Sequence, residues 1–248
     1  MKFVLYNIRY GTGGKVVYGG FLPYITGYFS STSNHVCKIG EFLEKENPDV
    51  VGLVEVDLGS IRHGYKNQVE KLGEQLNHFN VQQVKYGDKS KFNKVPVVRN
   101  QGNAFLYKDE LQNTEFHHFD EGTKTLIIEL ELENVVFFLV HLALGSKTRL
   151  KQITQLYKLI KNTKKPIIIG GDFNLMLGEV EIELFLAASG LVNPNNNNTP
   201  TFPSWNPSKH LDFILHSPEI KINEFRIPEV TLSDHLPLIL DFEISTSN

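Results

Sequence analysis

The sequence predicts an α/β protein in which sheets are covered by helices, with antiparallel pairing in its middle. Short apolar runs recur along the chain and outnumber the helical patterns between them. Amphipathic stretches of helix length separate some of these runs. Lys124–His141 reads as two strands turning at Glu133-Asn134, which makes it a hairpin. An apolar sheet face and an apolar helix stripe must bury each other, so this mixture implies layers.

The elements follow in order. Lys2–Tyr6 is a strand. His35–Glu46 is a helix carrying Val36, Ile39 and Leu43 on one face. Asp49–Val56 and Ala104–Tyr107 are strands. Lys124–Leu132 and Val135–His141 form the hairpin. Ser146–Lys161 is a helix with Leu150, Ile153, Leu156, Tyr157 and Ile160 on one face. Pro166–Gly170 is a buried strand, and Gly170-Gly171 permit a sharp turn and a close backbone approach at its end. Glu181–Ser189 is a shorter helix, and Leu211–Leu215 and Leu236–Phe242 are the last strands. Asn193–Thr199 is an asparagine-rich surface loop. No repeat, linker or second core interrupts the chain, so residues 1–248 are read as one domain.

Composition narrows the function classes. The 248 residues are 41% hydrophobic, as expected of a soluble globular chain. Val135 to Leu144 is too short for a membrane span and contains His141. The first residues lack the long apolar region of a signal peptide, so a cytoplasmic location is expected. One cysteine, Cys37, excludes an internal disulfide and a cysteine-based zinc cluster. A net charge of −3 argues against a general nucleic-acid coat protein, but not against a nuclease with a basic groove.

Two loops differ from the rest. Val16–Phe29 mixes Tyr18, Phe21, Tyr24, Tyr28 and Phe29 with glycines. It either folds back on the core or makes a peripheral membrane contact near the site mouth. Lys85–Arg99 carries Lys85, Lys89, Lys91, Lys94 and Arg99, which makes it either a solvated charge run or a phosphate-facing loop.

Polar residues close several apolar strands. Asn7 follows the first and Glu55 ends the second, two oxygen donors suited to a hard divalent cation. His141 ends the hairpin. Asp172 and Asn174 follow Pro166–Gly170 and alternate onto one side. Asp212 sits in an otherwise apolar strand and needs a partner, for which His235, in Ser233-Asp234-His235, is the natural choice. Alone, each reads as a turn residue, a strand end or a core histidine.

Together and in this order they resemble the endonuclease/exonuclease/phosphatase superfamily, with Gly171-Asp172-Phe173-Asn174 and Ser233-Asp234-His235 as the most specific motifs. The resemblance implies a DNase I-like four-layer α/β/β/α sandwich, two sheets face to face with helices outside. It implies that Glu55 and Asn7 hold Mg²⁺ (or Mn²⁺), with Asp234 available to a second ion. It further implies that Asp172 activates water, that Asn174 and His141 contact the phosphate, and that His235, oriented by Asp212, stabilises its charge. Asn103, in Gln101-Gly102-Asn103, either faces substrate or caps a turn.

Two positions depart from the family pattern. Arg9 stands where many relatives carry an acid, which weakens the case for a second metal. His210 stands where many carry arginine. The implied activity is hydrolysis of a phosphodiester, in nucleic acid or a lipid headgroup. The alternatives are a phosphomonoesterase of a sugar or inositol phosphate, clamping its anion with Lys147, Arg149 or Arg62, and a non-catalytic phosphate-binding module. No protein partner is implied.

Overall fold

A computed structural model describes residues 1–13, 33–85 and 98–244. The aromatic loop Val16–Phe29 and the basic stretch beyond Lys85 up to 97 lie outside the described residues. In chain order the strands are β1 (Lys2–Asn7), β2 (Val50–Asp57), β3 (Phe79–Val84), β4 (Gln101–Tyr107), β5 (Asn113–His118), β6 (Leu126–Glu131), β7 (Val136–His141), β8 (Ile167–Asp172), β9 (Asp212–His216), β10 (Ile220–Arg226) and β11 (Leu238–Ile244). The helices are α1 (Ser33–Glu46), α2 (Gln68–Leu76), α3 (Ser146–Ile160) and α4 (Glu183–Ser189).

Among the described residues, one sheet runs β10-β11-β1-β2-β4-β3 and the other β5-β6-β7-β8-β9. Both are mixed: β1–β2 and β7–β8 are parallel, and the other neighbours are antiparallel. Strand side chains alternate between faces, and the alternation here sorts the apolar residues into three cores. Phe3, Leu5, Phe105, Phe137, Leu139, Ile168, Leu240 and Phe242 pack between the sheets. Val4, Tyr6, Leu53 and Leu106 meet Val36, Ile39 and Leu43 of α1 and Val69 and Leu72 of α2. Val140, Ile169 and Phe213 meet Ile153 and Leu156 of α3 and Phe185 of α4. The result is the four-layer α/β/β/α sandwich. No helix among the described residues is long and apolar enough to cross a membrane.

The expected hairpin forms, with Ile127 opposite Val140 and Glu131 opposite Val136. The expected turn at Gly170-Gly171 does not form there, because β8 continues through both glycines to Asp172. The reason is close approach of the sheets. A Cβ on Gly170 would lie 2.9 Å from Phe3 Cζ and 3.3 Å from Leu5 Cδ1, both on the facing sheet. Gly52 leaves room in the same way for Leu139 and Phe3.

Gly170→Ala therefore has no free volume to occupy. Overpacking of this kind costs about 1–3 kcal/mol, and it would push β1 away from β8 at the level of Asn7 and Asp172. Urea unfolding should show that loss; an unchanged midpoint would show that the sheets are not held at this point.

Candidate active site

The site is the last layer of the inter-sheet core. In β1 the inward row is Phe3, Leu5, Asn7; in β7 it is Phe137, Leu139, His141; in β8 it is Ile168, Gly170, Asp172. In β9, running the other way, Asp212 shares its face with Ile214. Each row ends in one polar residue at the same end of the sandwich. Register completes the alignment: His141 lies opposite Asp172, and Asp172 opposite Asp212. Across the interface, Asn7 Nδ2 donates to Asp172 Oδ2 at 3.2 Å.

Glu55 arrives by a different route. It does not end β2; it lies within it, at an irregularity between Leu53 and Val56 in the pairing with β4. Its backbone is left-handed, with φ 58°. That is uncommon for a non-glycine residue, and such a bulge re-aims a side chain. Asn103 of β4 fills the bulge, its Oδ1 accepting the Glu55 N–H at 3.2 Å. Asn103 is fully buried, and its Nδ2 has no hydrogen-bond partner among the described residues. Beyond the bulge, Gln68 Oε1 accepts from the Asp57 N–H (2.9 Å) while its Nε2 donates to the Tyr10 carbonyl (2.8 Å). This ties β2 to the turn Arg9–Gly11 that follows Asn7.

The charges interlock. His141 Nε2 lies 3.3 Å from Asp172 Oδ2 and 3.9 Å from Glu55 Oε1, and it contacts Lys124 Nζ. That nitrogen can accept from Lys124 or donate to Asp172, not both. Burial first, and the Lys124 charge second, lower the His141 pKa to about 4. Burial alone would raise the Asp172 carboxyl, but His141, His235 and Lys124 outweigh it and hold it well below the usual carboxylate range. Burial is likewise outweighed at Glu55, by Lys85, Lys124 and His141. Asp172 Oδ1 also accepts the Asn174 N–H at 3.0 Å. Asn174, left-handed at φ 53°, donates from Nδ2 to the Leu142 carbonyl at 3.0 Å.

On the other side, His235 Nδ1 lies 2.8 Å from Asp212 Oδ2, which also accepts from Thr201 Oγ1 at 2.6 Å. His235 Nε2 is 4.0 Å from Asp172 Oδ2. Burial opposes an imidazolium there, but Asp212, Asp172 and Asp234 prevail and raise the His235 pKa to about 10. Asp172, Asp212 and His235 present ligand atoms within 4.8 Å of one another, a group able to hold a metal ion. Asp234 pairs with Arg9, Nε to Oδ2 3.3 Å. Burial, and Glu55 among its neighbours, raise the Asp234 carboxyl against the pull of His235 and Arg9.

The structure thus brings Asn7, Glu55, Asn103, His141, Asp172, Asn174, Asp212, Asp234 and His235 together. It does not bring Arg149 with them as an anion clamp, which corrects that expectation. Arg149 is 1% exposed; its guanidinium donates to the Ala143 and Leu144 carbonyls and to Glu181. It supports the loop after His141 from beneath. The side chain of Arg62 lies outside the described residues. His210 stacks on Phe213, with ring centroids 3.9 Å apart, and burial lowers its pKa to about 4, so it supplies no positive charge.

Sequence reasoning missed Lys124, Thr201 and the partner of Arg9. Lys85, read as a loop cation, is buried and contacts Tyr10. Lys124 lies just before β6, off the pairing position of His141, and only its long side chain reaches across the hairpin to that ring.

The fold recurs among solved structures. An endonuclease/exonuclease/phosphatase family protein from Bacteroides thetaiotaomicron superposes with a TM-score of 0.73 at 15% identity, covering 99% of this chain and 98% of that one. A mannosyl-6-phosphatase from the same organism gives 0.72 at 15% identity, covering 98% and 100%. The human nocturnin catalytic domain with bound sulfate gives 0.70 at 18%, covering 99% and 93%. At these identities the likeness establishes the shared fold. No curated protein sequence matches at a significant level. The sequence profile of the Endonuclease/Exonuclease/phosphatase family matches residues 4–235, from β1 to His235, and the chain belongs to that family.

Proposed function

We propose that this protein is a divalent-metal-dependent phosphoester hydrolase. The observation that carries the reading is the convergence on buried Asp172 of His141 (3.3 Å), His235 (4.0 Å) and Asn7 (3.2 Å) at one end of the sheet interface, contacts that favour its ionised form. A carboxylate kept ionised in a buried site is what a general base requires.

Glu55, Asn7 and Asp234 offer the hard oxygen donors that Mg²⁺ or Mn²⁺ prefers. Glu55 and Asp234 also oppose each other's ionisation, a conflict that a cation relieves. The Asp172, Asp212 and His235 group suits an ion less well, because the imidazole Nδ1 is already bonded to Asp212. When bound, Mg²⁺ supplies Lewis-acid polarisation of a phosphate oxygen.

The chain's own residues do the rest. Asp172, fixed by the Asn174 N–H and Asn7 Nδ2, takes a proton from the attacking water as its oxygen bonds to phosphorus. The ester P–O bond breaks opposite, and the departing oxygen takes up a proton. His235, oriented by Asp212 and Thr201, holds its proton towards the oxygen on which charge builds.

Phosphodiesters, in nucleic acid or a lipid headgroup, remain the primary substrate class. One observation favours monoesters. Arg9, Lys85, Lys124 and His235 balance Glu55, Asp172, Asp212 and Asp234. A divalent ion then leaves two positive charges, which match a monoester dianion. Bis(p-nitrophenyl) phosphate and p-nitrophenyl phosphate, each with Mg²⁺ or excess chelator, test both readings. Hydrolysis of neither, or hydrolysis that survives chelation, rejects the proposal.

Asp172→Asn keeps the shape and removes the base. General-base assistance is worth roughly 10²–10⁴-fold, so turnover should fall by about that factor, while calorimetric Mg²⁺ binding persists. Glu55→Gln should abolish Mg²⁺ binding and turnover together. Loss of metal in Asp172→Asn would recast that residue as a ligand.

In the metal-free protein, ring-nitrogen NMR should find His141 neutral down to about pH 4 and His235 protonated up to about pH 10. An ordinary histidine titrates near 6.5. Because His235 holds its proton more tightly folded than unfolded, its stabilising contribution is complete below about pH 6.5 and is lost as pH rises through about 10. Asp212→Asn should return His235 towards the ordinary value and flatten that alkaline loss of stability in urea unfolding; an unmoved titration would remove Asp212 from the pair.

A further inference from the structure

A second convergence of ligand-type side chains stands apart from the site, at the β5 edge of the second sheet. Strand β5 pairs with β6 alone. Asn113, Glu115 and His117 alternate onto one of its faces. Register sets Glu115 directly opposite Glu129 of β6, and His117 opposite Ile127. Ile127, and Phe138 beside Glu129 on β7, pack into the core beneath α3 and α4. The three side chains therefore stand on the helix side of the sheet, the face away from His141 and Asp172.

Two glutamates directly opposite in an antiparallel pair repel each other. The same strand answers such a charge with lysine one alternation further on, where Lys165 Nζ lies 2.7 Å from Glu131. Among the described residues no lysine or arginine nitrogen comes within 4.0 Å of Glu115 or Glu129. What stands between them is His117. Its Nε2 is 2.7 Å from Glu129 Oε2 and 3.7 Å from Glu115 Oε2. One ring nitrogen carries at most one proton, so it bonds Glu129 and leaves that oxygen of Glu115 short of a hydrogen bond. Asn113 Nδ2 steadies the other oxygen, donating to Glu115 Oε1 at 3.3 Å. The two carboxylates and the imidazole each present a ligand atom within 4.8 Å of the others. His117 and Glu129 are half-buried, and Glu115 is exposed.

We propose that Glu115, His117 and Glu129 form a second metal site, which takes a borderline transition ion such as Zn²⁺ and clamps edge strand β5 to β6. An imidazole with two carboxylates is a donor set that zinc accepts, whereas Mg²⁺ prefers oxygen alone. Zinc bonds of about 2.0–2.2 Å place tetrahedral neighbours roughly 3.3–3.5 Å apart. That spacing lies between the two separations from His117 Nε2 already present, so small side-chain rotations close the site. The neutral imidazole gives the Nε2 lone pair, each glutamate gives one oxygen, and water completes the shell on the solvent side. The ion does for this pair what Lys165 does for Glu131, and it ties two strands at once. The site is structural and does not depend on the phosphoester reading.

Zinc bound per chain is counted by competition with a chromogenic chelator in excess Mg²⁺. The wild-type protein should hold one equivalent more than His117→Gln or Glu129→Gln. His118→Gln, altered on the opposite face of β5, should keep that equivalent. Zinc should raise the urea midpoint of the wild type more than that of His117→Gln. Ring-nitrogen NMR of the wild type should show the His117 signals move on zinc addition, which decides the matter even if a variant fails to fold. Equal zinc counts in wild type and His117→Gln overturn the site, as do His117 signals that zinc leaves in place. Loss of the same equivalent in His118→Gln reduces it to general surface binding and also overturns it. An equivalent lost in His117→Gln with no difference in midpoint shift overturns the clamp.

Discussion

Two carboxylates, Asp172 and Asp212, are buried at the end of an apolar sandwich, and the surrounding arrangement answers the need to compensate them. A carboxylate removed from water is costly unless hydrogen bonds and opposite charge replace its hydration. Asp172 receives Asn7 and the Asn174 N–H, with His141 and His235 beside it. Asp212 receives His235 and Thr201. Lys124 and Lys85 close the arrangement around Glu55. The same contacts that make burial tolerable also set the protonation states. One histidine is kept neutral and the other charged, on the same Asp172 oxygen, by what else each ring faces. Burial disfavours charge on both; it keeps His141 neutral with the help of Lys124, and at His235 the neighbouring carboxylates overcome it.

This explains why so much of the site lies on strands rather than loops. A charge network of this density works only if its members keep their separations to fractions of an ångström. Asn7, His141, Asp172 and Asp212 inherit their positions from the alternation that packs Phe3, Phe137 and Ile168. The residues outside that alternation each have a separate restraint: Asn103 for the bulged Glu55, the loop from Thr201 for His235, and Gln68 for the turn after Asn7. Arg149 plays the corresponding part under the loop that follows His141.

What could be read from sequence follows from the same physics. The central strands were legible because each is buried on both faces and shows as an unbroken apolar run. The strands that escaped, β3, β5 and β10, are edge strands, polar enough to blunt their exposed sides, and so look like loops. Helix α2 escaped because its nine residues carry few apolar positions, Val69 and Leu72 among them. Strand-end acids and amides were visible from their abrupt contrast with apolar neighbours. Lys124 and Thr201 were not, because their role is set by pairing across elements distant in sequence. The bulge at Glu55 was also hidden, since nothing local in Leu53-Val54-Glu55-Val56 requires a left-handed backbone. Arg149 misled for a related reason: a cation beside a site motif looks the same in sequence whether it faces ligand or braces carbonyls.

The sheet order has a further consequence, for how the molecule comes into being. Strand β1 lies in the interior of its sheet, between β2 and β11, so the described strand made first by the ribosome completes its pairing only with the one made last. Until residues 238–244 emerge, β1 keeps one edge bare from Lys2 to Leu5. Such long-range closure is slow, and it leaves an open, adhesive edge in the interval. His235 lies just upstream of that final strand. The charge network therefore cannot assemble on a chain that stops short of it.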